Sequence, residues 1–244
     1  MEQLHILRLY RKGDEGETVK LIQEWLNLHE INLAIDGDFG PATELGVRRF
    51  QTYCDLHVDG IVGIKTFEKL VRPMTNALGP LGETTFKYSL HKKIIIYARR
   101  HLNQKAREVG GENRGPWVRL YMKGYEGDAW PWCAGFVIFI FSQVFGEQQL
   151  PFTDSFSVDN IVKSAICNKI FVKEVEVEKK NIVPGSLWVL RKEWGDWSHI
   201  GIVTEVKEDV FMAIEGNTNR RGEREGEKVA QKIRSYKNKD FIIW

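Results

Sequence analysis

The sequence predicts an α+β protein in which a small helical unit precedes a larger domain whose helices come first and whose antiparallel sheet comes last. Three observations carry this reading. The frame D-G-x-x-G-x-x-T occurs twice near the N-terminus, at Asp36 and again at Asp59. Helical spacing of apolar residues dominates from Leu90 to Asn168. Short alternating segments then follow one another from Phe171 to the C-terminus, the order expected of an α+β domain. The chain has 244 residues, enough for one large domain or two small ones.

Taken in order, Val19, Leu21, Ile22, Trp25, Leu26 and Leu28 suit a first helix. The loop 36–43 follows, its Asp-Gly supplying a turn with a positive-φ glycine. A second helix carries Leu45, Val47 and Phe50, the loop 59–66 repeats the turn, and a third helix carries Phe67, Leu70 and Val71. Thr43 and Thr66 stand where a hydroxyl could cap the helix after each loop. Residues 72–82 are rich in Pro and Gly, break the helical period and read as a linker. The expected organisation is residues 1–74 as a three-helix domain, 75–87 as linker and 88–244 as the second domain.

In that second domain Ile94, Ile95, Ala98, Leu102 and Ala106 share one helical face. Residues 112–116 form a turn, and Val118, Leu120 and Tyr121 open a short element. Pro131 then marks a helix start, because proline is favoured where a helix has N–H groups to spare. That helix places Cys133 in its first turn and stops near Phe145-Gly146. Another helix covers residues 158–168. Strands are expected over 171–177, 186–190, 199–206, 210–214, 229–233 and 241–244.

Composition narrows the function. Hydrophobic residues make up 43% and charged residues 28%, which suits a soluble globular chain. The net charge of +2 calls for no nucleic-acid partner. Residues 1–80 hold 9 Lys+Arg against 12 Asp+Glu, and residues 81–244 hold 26 against 21, a weak basic bias in the second domain. The apolar run 134–141 is far too short to span a bilayer, so membrane insertion is not expected. No signal peptide is visible at the N-terminus; a substrate outside the cytoplasm would require release by lysis, a dedicated secretion system or a signal absent from this sequence. Cys54, Cys133 and Cys167 form no C-x-x-C pair, and an odd count argues against a disulfide framework. His5, His29, His57, His91 and His101 lack metal-ligand spacing, and Asp128 and Asp196 are lone acids without a calcium-loop series. No metal and no cofactor is expected, and nothing demands a second copy of the chain.

The candidate chemistry rests on Cys133. A helix N-terminus carries partial positive charge and free N–H donors, which favour the nucleophilic thiolate. Alone on an apolar helix, this residue would read as core cysteine. Downstream, however, His199 opens a strand-like run, and Glu215 and Asn217 end the next one. Cysteine, base and orienting group in that order form a thiol-hydrolase arrangement, with His199 holding the thiol proton and passing it to a leaving amine. Residues 215 and 217 lie two apart, so in a strand both would face His199. The Cys133 N–H is the expected oxyanion donor. Trp130, Trp132, Trp188, Trp194 and Trp197 are dense here, and Trp132 and Trp197 are candidate substrate contacts. The charged segment 219–228 is a solvated loop or a cleft rim.

Two resemblances sharpen this reading. The duplicated turn, with Gly16-Glu17-Thr18-Val19 ahead of it and Phe50-Gln51 before its second copy, resembles the helical peptidoglycan-binding domain of cell-wall hydrolases. That resemblance implies a glycan or stem-peptide ligand, with Asp36 and Asp59 as candidate contacts. Trp132-Cys133-Ala134, Pro184-Gly185-Ser186-Leu187, Ser198-His199-Ile200-Gly201 and Ile214-Glu215-Gly216-Asn217 resemble the CHAP family of papain-like cysteine amidohydrolases and peptidases. It implies a papain-like domain with Cys133 as nucleophile, His199 as base, Glu215 as orienting group and Asn217 as the remaining polar position. Trp132 stands where some members have glutamine, so the second oxyanion donor is unassigned, and Ser198 stands where glycine is common. Together these imply a monomeric hydrolase of peptidoglycan amide bonds acting at the bacterial cell wall, in the periplasm or outside the cell. The alternatives are a non-catalytic wall-binding protein with a degenerate papain-like domain, and a transferase or protease acting on another amide.

Overall fold

The computed structural model describes residues 2–193, 195–218 and 226–244. Among them are seven α-helices followed by one antiparallel six-stranded sheet, so the architecture is α+β. Trp194 and residues 219–225, which include most of the charged segment read as a solvated loop or a cleft rim, lie outside the described residues.

The N-terminal part is built from α1 (Glu17–Leu28), α2 (Pro41–Tyr53) and α3 (Ile64–Leu78). Each turns an apolar stripe inward: Val19, Ile22, Trp25 and Leu26 from α1, Val47 and Phe50 from α2, Phe67, Leu70, Val71, Met74 and Ala77 from α3. The threonine caps expected at residues 43 and 66 do not form. Gly40 and Gly63 are the N-caps, and both threonines lie buried inside the first turn.

A buried glutamine holds each loop instead. Gln23 Nε2 donates to Asp36 Oδ1 (2.7 Å), the Asp38 carbonyl (3.0 Å) and Thr43 Oγ1 (3.1 Å), while its Oε1 accepts from the Gly37 N–H (2.9 Å). Gln51 repeats the pattern on Asp59 (2.8 Å), the Ile61 carbonyl (3.0 Å), Thr66 (3.3 Å) and the Gly60 N–H (2.9 Å). Gly37 and Gly60 have φ of 79° and 75°, a region open to glycine without steric cost.

The linker begins later than expected. Helix α3 continues through Pro73 to Leu78, because Met74 and Ala77 extend its buried stripe past the proline. The connection to α4 (Leu90–Asn103) is short, and Arg100 of α4 holds the Gly79 carbonyl. The two parts share one hydrophobic cluster, in which Trp25 meets Trp117 edge-on with centroids 6.4 Å apart. Arg119 reaches across to Glu24 (2.5 Å) and Arg107 to Glu30 (3.0 Å).

Trp117 and Arg119 belong to α5 (Pro116–Tyr121), which is followed by α6 (Cys133–Phe145) and α7 (Val158–Cys167). Then come β1 (Phe171–Val172), β2 (Leu187–Glu193), β3 (Asp196–Val206), β4 (Val210–Thr218), β5 (Lys228–Ser235) and β6 (Lys239–Ile242), paired in the order β1-β6-β2-β3-β4-β5. β1 is shorter than expected, since Glu174 leaves it to donate its N–H to Asp240 (2.9 Å). β4 runs past Ile214 and β3 starts before His199, so the candidate base and acid lie inside strands rather than at their ends.

Side-chain alternation gives the sheet two buried faces. Ile200, Ile202 and Ile214 join the α6 core, whereas Trp188, Val203, Phe211, Ala213 and Phe241 form a smaller cluster. Glycines let α6 sit close: a β-carbon on Gly216 would stand 2.5 Å from Phe136, and one on Gly135 would stand 2.9 Å from the Tyr121 carbonyl oxygen.

Deleting a buried amide that satisfies several polar groups leaves each of them unpaired. Gln51→Ala is therefore expected to lower unfolding stability by about 1–3 kcal/mol, read as a reduced urea midpoint at unchanged m-value.

Candidate active site

Cys133 is the first residue of α6, behind an N-cap, Trp132, whose side chain accepts no hydrogen bond from the helix. The helix therefore starts without a capping side chain at its N-cap, and the helix dipole points its positive end at the sulfur. Pro131 precedes the N-cap instead of opening the helix. Cys133 is buried, with 4% of its surface exposed.

His199 and Glu215 meet between β3 and β4. His199 Nε2 lies 3.1 Å from Glu215 Oε2, and both residues are buried. Ile202 pairs with Ile214 across these strands, which sets Glu215 over Gly201. A β-carbon on Gly201 would stand 2.7 Å from the Glu215 side chain, so only glycine leaves the carboxylate room to reach along the strand to His199. With Nε2 on Glu215, the buried Nδ1 has no hydrogen-bond partner among the described residues, and the Cys133 thiol is one of the groups that raise the ring.

Arg234 of β5 completes the set. Its Nε donates to Glu215 Oε1 (2.8 Å) and its Nη2 to Oε2 (2.5 Å), a two-pronged grip on the carboxylate. The guanidinium also lies over the Trp188 ring, 5.1 Å from its centroid. Sequence reading missed this residue. A single arginine in an alternating strand carries no motif, and its register opposite Phe211 emerges only with the sheet.

The electrostatics follow from these contacts. Burial works against charge on His199, but the Cys133 and Glu215 partners outweigh it and raise the imidazole to about 9. Burial likewise pushes the Glu215 carboxyl up, yet Arg234 and then His199 hold it below the usual range, so it stays ionised. An imidazolium beside a thiol favours the thiolate. Because His199 is raised above 6.5, its contribution to folding is complete below that pH and is lost as pH rises through about 9.

The other expected site residues take different roles. Asn217 does not share a face with Glu215. The register slips between Glu215 and Thr218, Asn217 adopts a left-handed φ of 50°, and its Oδ1 accepts the Gly226 N–H (3.2 Å). Trp132 is wholly buried, stacks on Tyr121 (centroids 5.4 Å apart) and donates its indole N–H to Glu108 (2.7 Å), so it presents no ring to a substrate. Trp197 is also buried, with its indole N–H on Asp240 (2.8 Å). The register shift between Leu190 and Arg191 separates Trp197 from His199 and sends the tryptophan into the α6 core. The accessible aromatic surface before the helix is instead Tyr125 stacked on Trp130, centroids 4.4 Å apart.

Asp36 and Asp59 each use Oδ1 to close their own loop, on Gln23 and Asp38 N–H and on Gln51 and Ile61 N–H. Their first role is thus structural, although Asp59 also borders a groove of about 330 Å³ with Leu9, Leu56, Ile61 and Ile64. Among the described residues no group of three or more His, Cys, Asp or Glu is placed to hold a metal ion. Among the described residues no helix is long and apolar enough to cross a membrane.

Comparison with known proteins bears on the N-terminal part. Residues 15–70 match the PG_binding_1 family, described as a peptidoglycan binding domain. The zinc D-Ala-D-Ala carboxypeptidase of Streptomyces albus G is 38% identical over 76 residues, 30% of each chain. An uncharacterized protein encoded 3′ of bpoA1 in Kitasatospora aureofaciens is 44% identical over 61 residues, 24% of this chain and 52% of that one. The chain thus spans between about a third and a half of these curated relatives. Among solved structures, a Clostridioides difficile peptidoglycan-binding protein in complex with glutamine hydroxamate is 41% identical over 26% of this chain and 40% of its own, with a TM-score of 0.26. A Burkholderia AP3 phage endolysin is 28% identical over 45% of this chain and 41% of its own, with a TM-score of 0.27.

The thiol is one of the two groups that raise His199. Cys133→Ala is therefore expected to lower the His199 pKa from about 9, followed by nitrogen-15 NMR of the ring; an unchanged titration would separate the two side chains.

Proposed function

We propose that this chain is a two-domain peptidoglycan hydrolase, with a wall-binding domain in its N-terminal part and a papain-like, CHAP-type cysteine hydrolase after it. The observation that carries the reading is a buried His199 that bonds an ionised Glu215 and is raised by the Cys133 thiol. The match of residues 15–70 to a peptidoglycan-binding family supports peptidoglycan as the partner.

In the proposed reaction the Cys133 thiolate attacks the carbonyl carbon of a wall amide. Its oxygen takes up negative charge opposite the N–H groups at the start of α6. His199 gives its Nδ1 proton to the amine nitrogen as the carbon–nitrogen bond breaks, leaving a thioester. A water molecule then loses a proton to His199 and attacks the thioester, releasing a carboxylic acid and restoring the thiolate. Glu215 keeps the ring in one orientation throughout and stabilises its protonated form. The bond is in the stem peptide, in a cross-bridge or between muramic acid and L-alanine.

Cys133→Ala is expected to slow solubilisation of purified peptidoglycan by at least about a thousandfold. Clearance by the variant at the parental rate would remove the thiol mechanism and favour a wall-binding protein. Mass spectrometry of the products then assigns the bond: free lactyl or muramic acid ends mark an amidase, and new amine termini within the peptide mark an endopeptidase.

Arg234→Met should act through Glu215. A hydrogen bond to a charged group is worth about 1.5–3 kcal/mol, so kcat is expected to fall about 10- to 100-fold with little change in KM. Arg234→Lys keeps the charge without the fork and should recover part of that loss.

A further inference from the structure

A pocket of about 580 Å³ lies where the N-terminal helices meet the rest of the chain. Lys20, Leu21 and Glu24 of α1 line one side, and Arg114, Arg119 and Glu126 line the other. Neither part makes the pocket alone. Its volume falls within the range of about 300–1,000 Å³ common to small-ligand clefts, and domain junctions are a preferred place for them.

The charges in it are unevenly matched. Arg119 serves two carboxylates at once, Glu24 at 2.5 Å and Glu126 at 2.8 Å, which leaves that group one negative charge in excess. Lys20 is neutralised by Glu17 at 2.8 Å. Arg114, by contrast, has no ion pair or side-chain hydrogen bond among the described residues. It is nevertheless positioned: β-carbons on Gly111 and Gly127 would stand 3.1 and 3.2 Å from its side chain, so the two glycines leave it a fitted berth. The pocket thus holds one surplus carboxylate charge, shared by Glu24 and Glu126, and one unmatched guanidinium.

We infer that this pocket binds a zwitterionic peptide segment, with a carboxylate on Arg114 and an ammonium beside Glu24 and Glu126. The identity of the peptide rests on the proposed wall activity: a stem peptide carries free carboxylates and, on its diamino acid, an ammonium. Leu21 offers apolar contact for the alanine methyl groups. The site also connects to the candidate catalytic helix. Glu126 accepts the Gly115 N–H (2.9 Å), Gly127 donates to the Asn113 carbonyl (2.7 Å), and the chain runs from there through Trp130 to Cys133. A stem peptide in this pocket thereby touches the segment that leads into the thiol's helix.

The test uses the full-length Cys133→Ala protein, which cannot turn the ligand over, titrated calorimetrically with L-Ala–γ-D-Glu–L-Lys–D-Ala. Binding is expected. Arg114→Ala in the same background should weaken it about tenfold or more, and Arg114→Glu should abolish it. Arg114 is exposed and its head makes no ion pair or side-chain hydrogen bond among the described residues, so both variants should fold, with thermal unfolding as the check. Binding that Arg114→Ala and Arg114→Glu leave unchanged, or no binding at all, overturns the pocket. Wall digestion by the parent protein is scored separately. Arg114-dependent binding without digestion would sink the catalytic reading alone, and digestion without Arg114-dependent binding would sink the pocket alone.

Discussion

A carboxylate with no exposed surface, Glu215, governs how the C-terminal half is put together. An isolated buried charge costs many kcal/mol, so an ionised Glu215 needs partners on every open side. Arg234 takes both oxygens from β5, and His199 takes one from β3. Three neighbouring strands must therefore hold one register. Gly201 has to remain without a side chain, and Trp188 and the smaller core lie on the same side of the sheet. The thiol at the start of α6 adds to this set from the larger core. The imidazole is thus the meeting point of two hydrophobic clusters, a placement that shields its hydrogen bonds from water and strengthens them.

A similar economy appears in the N-terminal helices, where Gln23 and Gln51 each gather one loop around a single amide. The two glutamines precede their aspartates by different distances, 13 residues in one case and 8 in the other. The half-repeat is therefore one of geometry, visible in the hydrogen bonds more fully than in the spacing.

Much of this organisation was legible before the structure. The order of helices and strands follows from apolar periodicity, and residue type and order point to Cys133, His199 and Glu215 as candidates. What escaped depended on three-dimensional context. The bulge that turns Asn217 away from Glu215 leaves no mark on strict alternation. Trp132 and Trp197 are tryptophans near a cysteine and a histidine in sequence, but their depth is decided by Glu108 and Asp240, residues far along the chain. Pro73 reads as a helix breaker, yet the burial of Met74 and Ala77 on the far side of it outweighs one lost hydrogen bond. The threonines of the repeated frame look like caps because cap geometry is local, whereas the glutamines that claim them come from a neighbouring helix.

The docking of α1 against α5 has a bearing on modularity. Wall-binding units are commonly pictured as beads on a string, interchangeable between catalytic partners. Here the face of α1 that carries Trp25 and Glu24 is completed by Trp117 and Arg119. Exchange of the unit would leave an indole and a guanidinium uncovered unless the incoming helix carried the same two residues. Grafting this chain therefore means choosing a seam outside that junction, and shuffling it in evolution would demand paired changes on both sides.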